Sequence, residues 1–232
     1  MKDHEPNAAR PPSYLEPYRD AVDRHGAVFE ATLWASRDHQ MARFRVLSEM
    51  VDFRGSLIID AGAGLGDLAA YLHEHAVLYE RYIGVEGVPE ILASAGRRCL
   101  PRAEFVSADF LRDAGCFEEA LSRGTGLRPI IVFCGSLNTM RESDARRALE
   151  RAWRALPLDR DGALAFNFLS GACCPFLRSG SSYPARRFSP QHMADWAIAH
   201  SPRIAMRSDY FPGGHDATIV VRKDPPEHAG RR

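Results

Sequence analysis

Residues 57–72 read LIIDAGAGLGDLAAYL, a short apolar run followed by closely spaced glycines and then by a helix-like segment. The β-branched apolar run is typical of a strand buried on both faces. Gly62, Gly64 and Gly66 come where this strand turns into the helix. A ligand can lie against main chain that carries no Cβ, and the N–H groups at the start of the helix attract polar or anionic atoms. The stretch therefore predicts a ligand site, with a tight turn that binds nothing as the alternative.

Outward from this stretch, apolar runs and helix-like segments continue to alternate. Further strands are predicted over 82–86, 103–109, 129–135 and 163–169. Helices are predicted over 17–25, 37–52, 66–76, 88–98, 111–122 and 141–156. Strands that alternate with helices of about 10–15 residues indicate a parallel sheet with right-handed crossovers.

The last part of the chain has a different pattern. A loop rich in Gly, Ser and Pro is predicted over 171–187, then a helix with Ser189 as N-cap and Pro190 at its first position. Two final strands, 204–210 and 217–223, are separated by too few residues for a crossover helix, so we expect them to pair as an antiparallel hairpin. The predicted fold class is α/β: a doubly wound, mostly parallel seven-stranded sheet that ends in this hairpin.

Composition limits the classes of function. The 232 residues include 30 Lys or Arg and 30 Asp or Glu, so the formal net charge is zero. Binding to nucleic acid draws on an excess of cations that neutralise phosphates, so a nucleic-acid partner is disfavoured. No stretch has the roughly 20 apolar residues that a membrane span requires. The first residues lack the apolar core of a signal peptide and the five cysteines are an odd number, so we expect a cytoplasmic protein with reduced thiols.

We divide the chain into an N-terminal tail and helical cover over 1–36, a ligand-binding domain over 37–223, and a disordered tail over 224–232. Cys173 and Cys174 are adjacent, which is not the spacing of a zinc site, so no metal is expected. The oligomeric state is left open.

Acidic side chains stand at the ends of the second and third predicted strands. Glu86 comes twenty residues after Gly66, where a carboxylate can accept hydrogen bonds from both hydroxyls of a ribose. Asp109 lies beside Phe110, at the edge where an adenine ring would be held. Either acid alone is more typical of a solvated strand end. Together with the glycines, in order along the first three strands, they predict an adenosine site.

Asp67 distinguishes between the possible adenosine ligands. It stands at the sixth position of the glycine pattern, where the dinucleotide-binding fingerprint has Gly, and its charge would repel a pyrophosphate. A ligand without phosphates is therefore expected. Residues 60–66, DAGAGLG, resemble the first motif of the class I S-adenosylmethionine-dependent methyltransferases. The resemblance extends over about residues 40–222, and it implies the Rossmann-like methyltransferase fold with S-adenosylmethionine as cofactor.

The resemblance also implies roles for individual residues. Asp60 and the main chain of the three glycines would lie near the methionine part of the cofactor, and Glu86 would hold the ribose hydroxyls. Asp109 would accept a hydrogen bond from the adenine amino group, and Phe110 would donate its N–H. Two residues at the end of the fourth strand would line the site: Cys134 and Gly135.

The stretch 33–44, LWASRDHQMARF, is similar to the N-terminal helix of small, uncharacterised members of the same superfamily. The similarity implies that one or more of four side chains cover the cofactor or hold its carboxylate: Trp34, Arg37, Gln40 or Arg43. Arginine suits a carboxylate because its guanidinium group donates two parallel hydrogen bonds. Surface solvation of an amphipathic helix is the alternative for the two arginines.

The acceptor is expected beyond the carboxyl ends of the fourth and fifth strands, where ligands bind in doubly wound sheets. Polar candidates there are Ser136, Asn138, Asn167 and Ser170. Capping of the following helix is the alternative for Asn138. The fourth strand lacks the Asn/Asp-Pro-Pro-Tyr/Phe ending of enzymes that methylate bases or amide nitrogens, so those classes are disfavoured. Loop 171–188 is either a lid over the site or a surface loop.

We therefore expect methyl transfer from S-adenosylmethionine to a small-molecule acceptor by in-line displacement, which needs a base only when the acceptor is protonated. Candidates for that base, each with a structural role as the alternative, are His39, His192, Asp209, Tyr210 and His215. A non-catalytic cofactor-binding or interaction protein on the same scaffold remains open, because no acceptor motif is present. A dehydrogenase is disfavoured by Asp67 and by the terminal hairpin.

Overall fold

A computed structural model describes residues 13–172 and 183–223 of the chain. The tail predicted over 224–232, most of the N-terminal tail and the middle of loop 171–188 lie outside the described residues.

Eight strands and seven α-helices make up the described structure. The strands are β1 Ser56–Ala61, β2 Arg81–Glu86, β3 Ala103–Ser107, β4 Arg128–Phe133, β5 Ala163–Ser170, β6 Arg187–Phe188, β7 Ile204–Arg207 and β8 Asp216–Arg222. The helices are α1 Glu16–His25, α2 Arg37–Met50, α3 Asp67–Glu74, α4 Pro89–Arg97, α5 Cys116–Ser122, α6 Glu142–Ala155 and α7 Pro190–His200. Short 3-10 turns lie at Phe29–Thr32 and Pro212–Gly214.

The strands form one sheet in the order β3-β2-β1-β4-β5-β8-β7. The first five strands in this order are parallel, whereas β8 runs antiparallel to both of its neighbours, β5 and β7. The doubly wound α/β fold with a C-terminal antiparallel hairpin is thus confirmed. All six residues of β1 are buried, as expected for a central parallel strand with helices on both faces.

Two predictions of detail were wrong. Residues 187–188, assigned to a loop, form the additional short strand β6, which pairs in parallel with the end of β5; two residues are too few to show a strand period. The helix predicted over 111–122 begins only at Cys116. Asp109 Oδ1 accepts the N–H groups of Leu111 and Arg112 in a local turn, and Gly115 has a φ of 86°, which a right-handed helix cannot include.

The core occupies both faces of the sheet. Leu57 and Ile59 of β1 belong to the buried cluster that includes apolar residues of α4, α5, α6 and α7, whereas Ile58 between them belongs to the cluster that includes residues of α2 and α3. This alternation follows from the two-residue repeat of a strand. The predicted N-cap of α7 is confirmed, since Ser189 Oγ accepts the His192 N–H at 3.3 Å. Over the described ranges, no helix is both long and apolar enough to cross a bilayer.

Candidate active site

The loop between β1 and α3 contains three glycines with left-handed backbone: Gly62 at φ 83°, Gly64 at φ 56° and Gly66 at φ 78°. A Cβ on Gly62 would lie 2.5 Å from the Ser136 Cβ, and a Cβ on Gly66 would lie 2.6 Å from the Phe105 ring. Both glycines are therefore required by packing as well as by backbone conformation. A Cβ on Gly64 would meet only the Thr32 methyl group, at 3.8 Å. Of the three glycines, Gly64 is therefore the one where a Cβ would meet no close contact.

The Glu86 carboxylate, at the end of β2, is held by main-chain donors. Its Oε2 accepts the Gly64 N–H at 2.9 Å, and its Oε1 accepts the Val88 N–H at 2.8 Å. The residue is 6% exposed. Burial raises the pKa of its carboxyl group, and these hydrogen bonds oppose that rise. The Glu86 carboxylate thus links the glycine loop to the end of β2.

Asp60, at the end of β1, lies in an apolar setting. Its Oδ2 accepts a hydrogen bond from the Tyr82 hydroxyl, while its Oδ1 is buried and has no hydrogen-bond partner among the described residues. Burial raises the pKa of Asp60 to about 7, the Tyr82 hydrogen bond opposes that rise, and the charge of Glu86 adds to it. Such a carboxylate favours a ligand that brings a donor or a positive charge.

These groups open into one cavity of about 430 Å³, within the usual range of about 300–1,000 Å³ for small-molecule sites. Of the residues that the sequence singled out, the cavity brings together Trp34, His39, Gln40, Arg43, Asp60, Gly62, Gly64, Asp67, Glu86, Phe110, Cys134, Gly135, Ser136, Asn138 and His215. The other candidates do not line it: Arg37, Gly66, Asp109, Asn167, Ser170, His192, Asp209 and Tyr210.

Several of the residues outside the cavity support its walls. Asn167 accepts the Gly135 N–H at 2.8 Å and donates to the Cys134 Sγ at 3.1 Å, so it holds the end of β4 in place. Asp109 accepts a hydrogen bond from the Tyr14 hydroxyl at 2.8 Å. The Arg37 guanidinium lies 4.2 Å above the Phe29 ring, on the surface.

Asn138 does not cap the helix that follows it, so that alternative was wrong. Helix α6 begins after Arg141, with no side-chain cap. Instead Asn138 Oδ1 accepts the Leu169 N–H at 3.1 Å and links the segment after β4 to β5. Ser170 Oγ accepts the Ala172 N–H at 3.1 Å, a local turn contact.

Three of the five candidate bases have other partners away from the cavity. His192 lies 2.9 Å from a Glu142 carboxylate oxygen, on the surface. Asp209 is exposed and pairs with Arg207 at 3.0 Å. Tyr210 shares a 2.9 Å hydrogen bond with a threonine hydroxyl on β8, and burial raises the pKa of its phenol well above the usual value. Only His39 and His215 line the cavity.

Sequence reasoning missed three residues at the site. Asp216 forms a buried ion pair with Arg43, and no local pattern marks it. Tyr82 of β2 donates a hydrogen bond to Asp60 of β1. Tyr82 pairs with Ile58, which lies two residues before Asp60, so Tyr82 and Asp60 project from the same face of the sheet. The strand register could therefore have revealed this contact. Tyr14, ahead of α1, lines the cavity and reaches Asp109.

Several residues that line the cavity carry a buried polar atom with no hydrogen-bond partner among the described residues. These atoms are Gln40 Oε1, Asp60 Oδ1, Ser136 Oγ, Thr139 Oγ1 and His215 Nδ1. Buried polar groups in proteins are nearly always hydrogen-bonded, so a cavity with this lining is suited to a polar ligand. Within the part of the chain that the structure describes, no group of three acidic, His or Cys side chains is arranged to hold a metal ion.

Comparisons with known proteins bear on the fold. No family model matches the chain. No curated protein matches it either. Solved structures do match, among them an O-methyltransferase family protein from Burkholderia thailandensis, with a TM-score of 0.66 and 19% identity over 90% of this chain. This chain spans 63% of the length of that protein.

Two further structures extend the comparison. The complex of DhpI with S-adenosylhomocysteine has a TM-score of 0.60 and 18% identity, and the alignment covers 92% of this chain and 96% of that one. The small RNA methyltransferase HEN1 has a TM-score of 0.61 and 15% identity, over 80% of this chain and 25% of that one. The chain therefore has the fold of the class I S-adenosylmethionine-dependent methyltransferases.

Proposed function

We propose that the chain is a methyltransferase that binds S-adenosylmethionine in the cavity beside the glycine loop and methylates a small-molecule acceptor. The observation that carries the proposal is the pair of buried carboxylates, Asp60 and Glu86, which both line this cavity. Neither has a cationic partner among the described residues, and burial raises the pKa of each. A ligand with positive charge offsets that cost, whereas a pyrophosphate increases it.

The residues present fit this cofactor along its length. Glu86 is already positioned by two main-chain N–H groups, and each of its oxygens retains a lone pair for a ribose hydroxyl. Leu15, Ile91 and Phe110 supply apolar walls for an adenine ring. Asp60 Oδ1 and the main chain near Gly62 face the methionine end. Arg43 is the arginine of α2 that lines the cavity, and it is the one we assign to this site.

S-adenosylmethionine, when bound, supplies a methyl group on a sulfonium, a leaving group that is already activated. The protein then has to hold the acceptor in line, with the reacting atoms about 3–3.5 Å apart, and to exclude water. The acceptor end of the cavity is bounded by Trp34, Ser136, Asn138 and Leu169. A cavity of this size is suited to a small acceptor. A cytoplasmic location remains our expectation from the sequence.

Isothermal titration of the protein with S-adenosylhomocysteine and with a nicotinamide dinucleotide tests the cofactor. We expect binding of the first and none of the second. Glu86→Gln is expected to weaken the binding by about 1–3 kcal/mol, because it removes a charged acceptor. Glu90→Gln, an equal change of charge at an exposed position four residues away, is the matched control and is expected to bind normally. Preference for the dinucleotide would refute the proposal.

A second measurement separates an enzyme from a binding protein. Labelled S-adenosylmethionine is incubated with the protein and with pools of small metabolites sorted by the methyl-accepting atom. Formation of a labelled product and of S-adenosylhomocysteine supports an enzyme. Tight binding without turnover on any pool supports the non-catalytic alternative instead.

A further inference from the structure

A cluster of rings lies beside the cavity, where α2 meets the turn before β8. The ring centroids of His39 and His215 are 5.7 Å apart, and Phe211 lies 4.9 Å from the first and 4.6 Å from the second. His39 and His215 both line the cavity. The cofactor-binding residues assigned above do not include either imidazole, so this cluster is available for the acceptor.

The two nitrogens of His215 have different surroundings. Nε2 lies 3.7 Å from the Asp216 Oδ2, a distance for electrostatic attraction rather than a hydrogen bond. Nδ1 is buried and has no hydrogen-bond partner among the described residues. A carboxylate near Nε2 favours the tautomer with the proton on that nitrogen, which leaves a lone pair on Nδ1. A buried acceptor nitrogen without a donor is rare in proteins and indicates that a ligand supplies the donor.

Charged and titratable groups surround His215 on three sides. Asp216 belongs to β8, Arg43 and His39 belong to α2, and Arg187 belongs to β6. Burial is the largest influence on the pKa of His215 and lowers it. Asp216 opposes this change, whereas Arg43, His39 and Arg187 lower the pKa further. The imidazole is therefore neutral at neutral pH and can accept a proton, and the imidazolium so formed is stabilised by Asp216.

We propose that His215 is the general base of the methyl transfer and that the acceptor is a hydroxyl group on a planar ring, seated against the rings of Trp34 and His39. This inference rests on the proposed function. The acceptor oxygen forms its new bond to the methyl carbon with a lone pair, its O–H proton passes to Nδ1 of His215, and the C–S bonding pair stays with the sulfur. Asp216 is a positioning residue, because it acts only through His215.

The first test needs no cofactor and no variant. In the wild-type protein, ¹⁵N NMR of the imidazole rings reports the tautomer and the protonation of His215 directly. We expect the Nε2–H tautomer at neutral pH and protonation at a lower pH than in free histidine. A proton on Nδ1 at neutral pH, or protonation above the pH of free histidine, would overturn the assignment of the base.

The second test uses 4-nitrophenol as a probe of the acceptor site in protein saturated with S-adenosylhomocysteine. The visible absorption of the phenolate reports the pH at which the bound probe ionises. We expect that pH to be higher than for the free probe, because the neutral imidazole of His215 accepts a hydrogen bond from the hydroxyl of the probe and so stabilises its un-ionised form. His215→Gln is expected to bind S-adenosylhomocysteine normally but to lose this shift. His39→Gln is expected to weaken probe binding and to keep the shift, since it removes a wall and not the base.

His73→Gln, at an exposed position of α3, is expected to behave as wild type. Retention of the shift in His215→Gln would refute the base, and absence of probe binding to the loaded wild type would refute the acceptor class. Failure of the wild type to bind S-adenosylhomocysteine would refute the proposed function instead, and the NMR result on His215 would still be interpretable.

Discussion

Arg43 of α2 and Asp216 of β8 form a two-pronged ion pair inside the protein. The Arg43 Nε lies 3.0 Å from the Asp216 Oδ1, and a second bond joins Nη2 to Oδ2. The side chains are 5% and 0% exposed. The Arg43 guanidinium also lies 4.8 Å from the centre of the Trp34 ring and 5.4 Å from that of Phe211. This ion pair links α2, which borders the cavity, to β8, the strand that follows His215.

Breaking the pair on one side should be costly. Asp216→Asn leaves the Arg43 charge buried without a counter-ion, and we expect a loss of about 3–5 kcal/mol in the free energy of unfolding, measured by urea denaturation. Asp209→Asn removes an exposed partner of Arg207 and should leave Tm nearly unchanged. The double variant Arg43→Met/Asp216→Leu should be more stable than Asp216→Asn, because no unpaired charge remains. A single variant as stable as wild type would contradict the role of the pair.

Two glycine-to-alanine substitutions should change the stability of the protein in opposite directions. Gly66→Ala places a Cβ 2.6 Å from the Phe105 ring at a positive φ, so we expect a destabilisation of about 1–3 kcal/mol. Gly96→Ala lies in α4 with nothing within 4 Å of the new Cβ, and it should stabilise the protein by about 0.4–1 kcal/mol. Thermal unfolding measured side by side checks both. Equal effects at the two positions would show that packing at Gly66 is not the cause.

The contact between Gly62 and Ser136 should appear as coupling between two substitutions. Gly62→Ala drives a Cβ to 2.5 Å from the Ser136 Cβ and should lower both stability and affinity for S-adenosylhomocysteine. Adding Ser136→Gly removes the clashing atom, so the double variant should recover about 0.5–3 kcal/mol relative to the sum of the single changes. Gly115→Ala, at φ 86° with nothing nearby, measures the backbone cost alone. Strict additivity would rule out the clash.

Asp60 should make stability depend on pH in a particular direction. Its pKa is about 7 in the folded chain and about 4 in an unfolded chain, so the folded state holds an extra proton between these values. The corresponding stabilisation, about 4 kcal/mol, is fully present below about pH 4 and is lost as the pH rises to about 7.

Urea denaturation at about pH 5 and about pH 8 measures this dependence. The wild type should lose stability between the two conditions, and Asp60→Asn should lose less because it carries no titrating carboxyl group. Asp20→Asn, on the exposed side of α1, should keep the wild-type difference. An unchanged difference in Asp60→Asn would show that another group is responsible.

Several features of the site followed from local patterns. The glycine loop and Glu86 were assigned from their places at the ends of apolar runs, and Asp60 from the resemblance of the glycine motif; Gly62, Gly64, Asp60 and Glu86 all line one cavity. The reason is that parallel strands place their carboxyl ends at a common edge, so order along the chain predicts neighbours at that edge. The same reasoning did not extend to side-chain direction. Asn167 and Ser170 also end a strand, yet neither lines the cavity.

The amino-acid sequence by itself determined the α/β class, most of the strand and helix pattern and the glycine loop after the first strand, because hydrophobic period and glycine position are local properties. The tertiary structure alone decided which distant groups meet: Arg43 with Asp216, Tyr14 with Asp109, and His39 with His215. Each of these contacts joins residues far apart in the chain, and only the packing of helices and loops on the sheet brings them within reach. The local hydrophobic period of the sequence does not encode such long-range contacts.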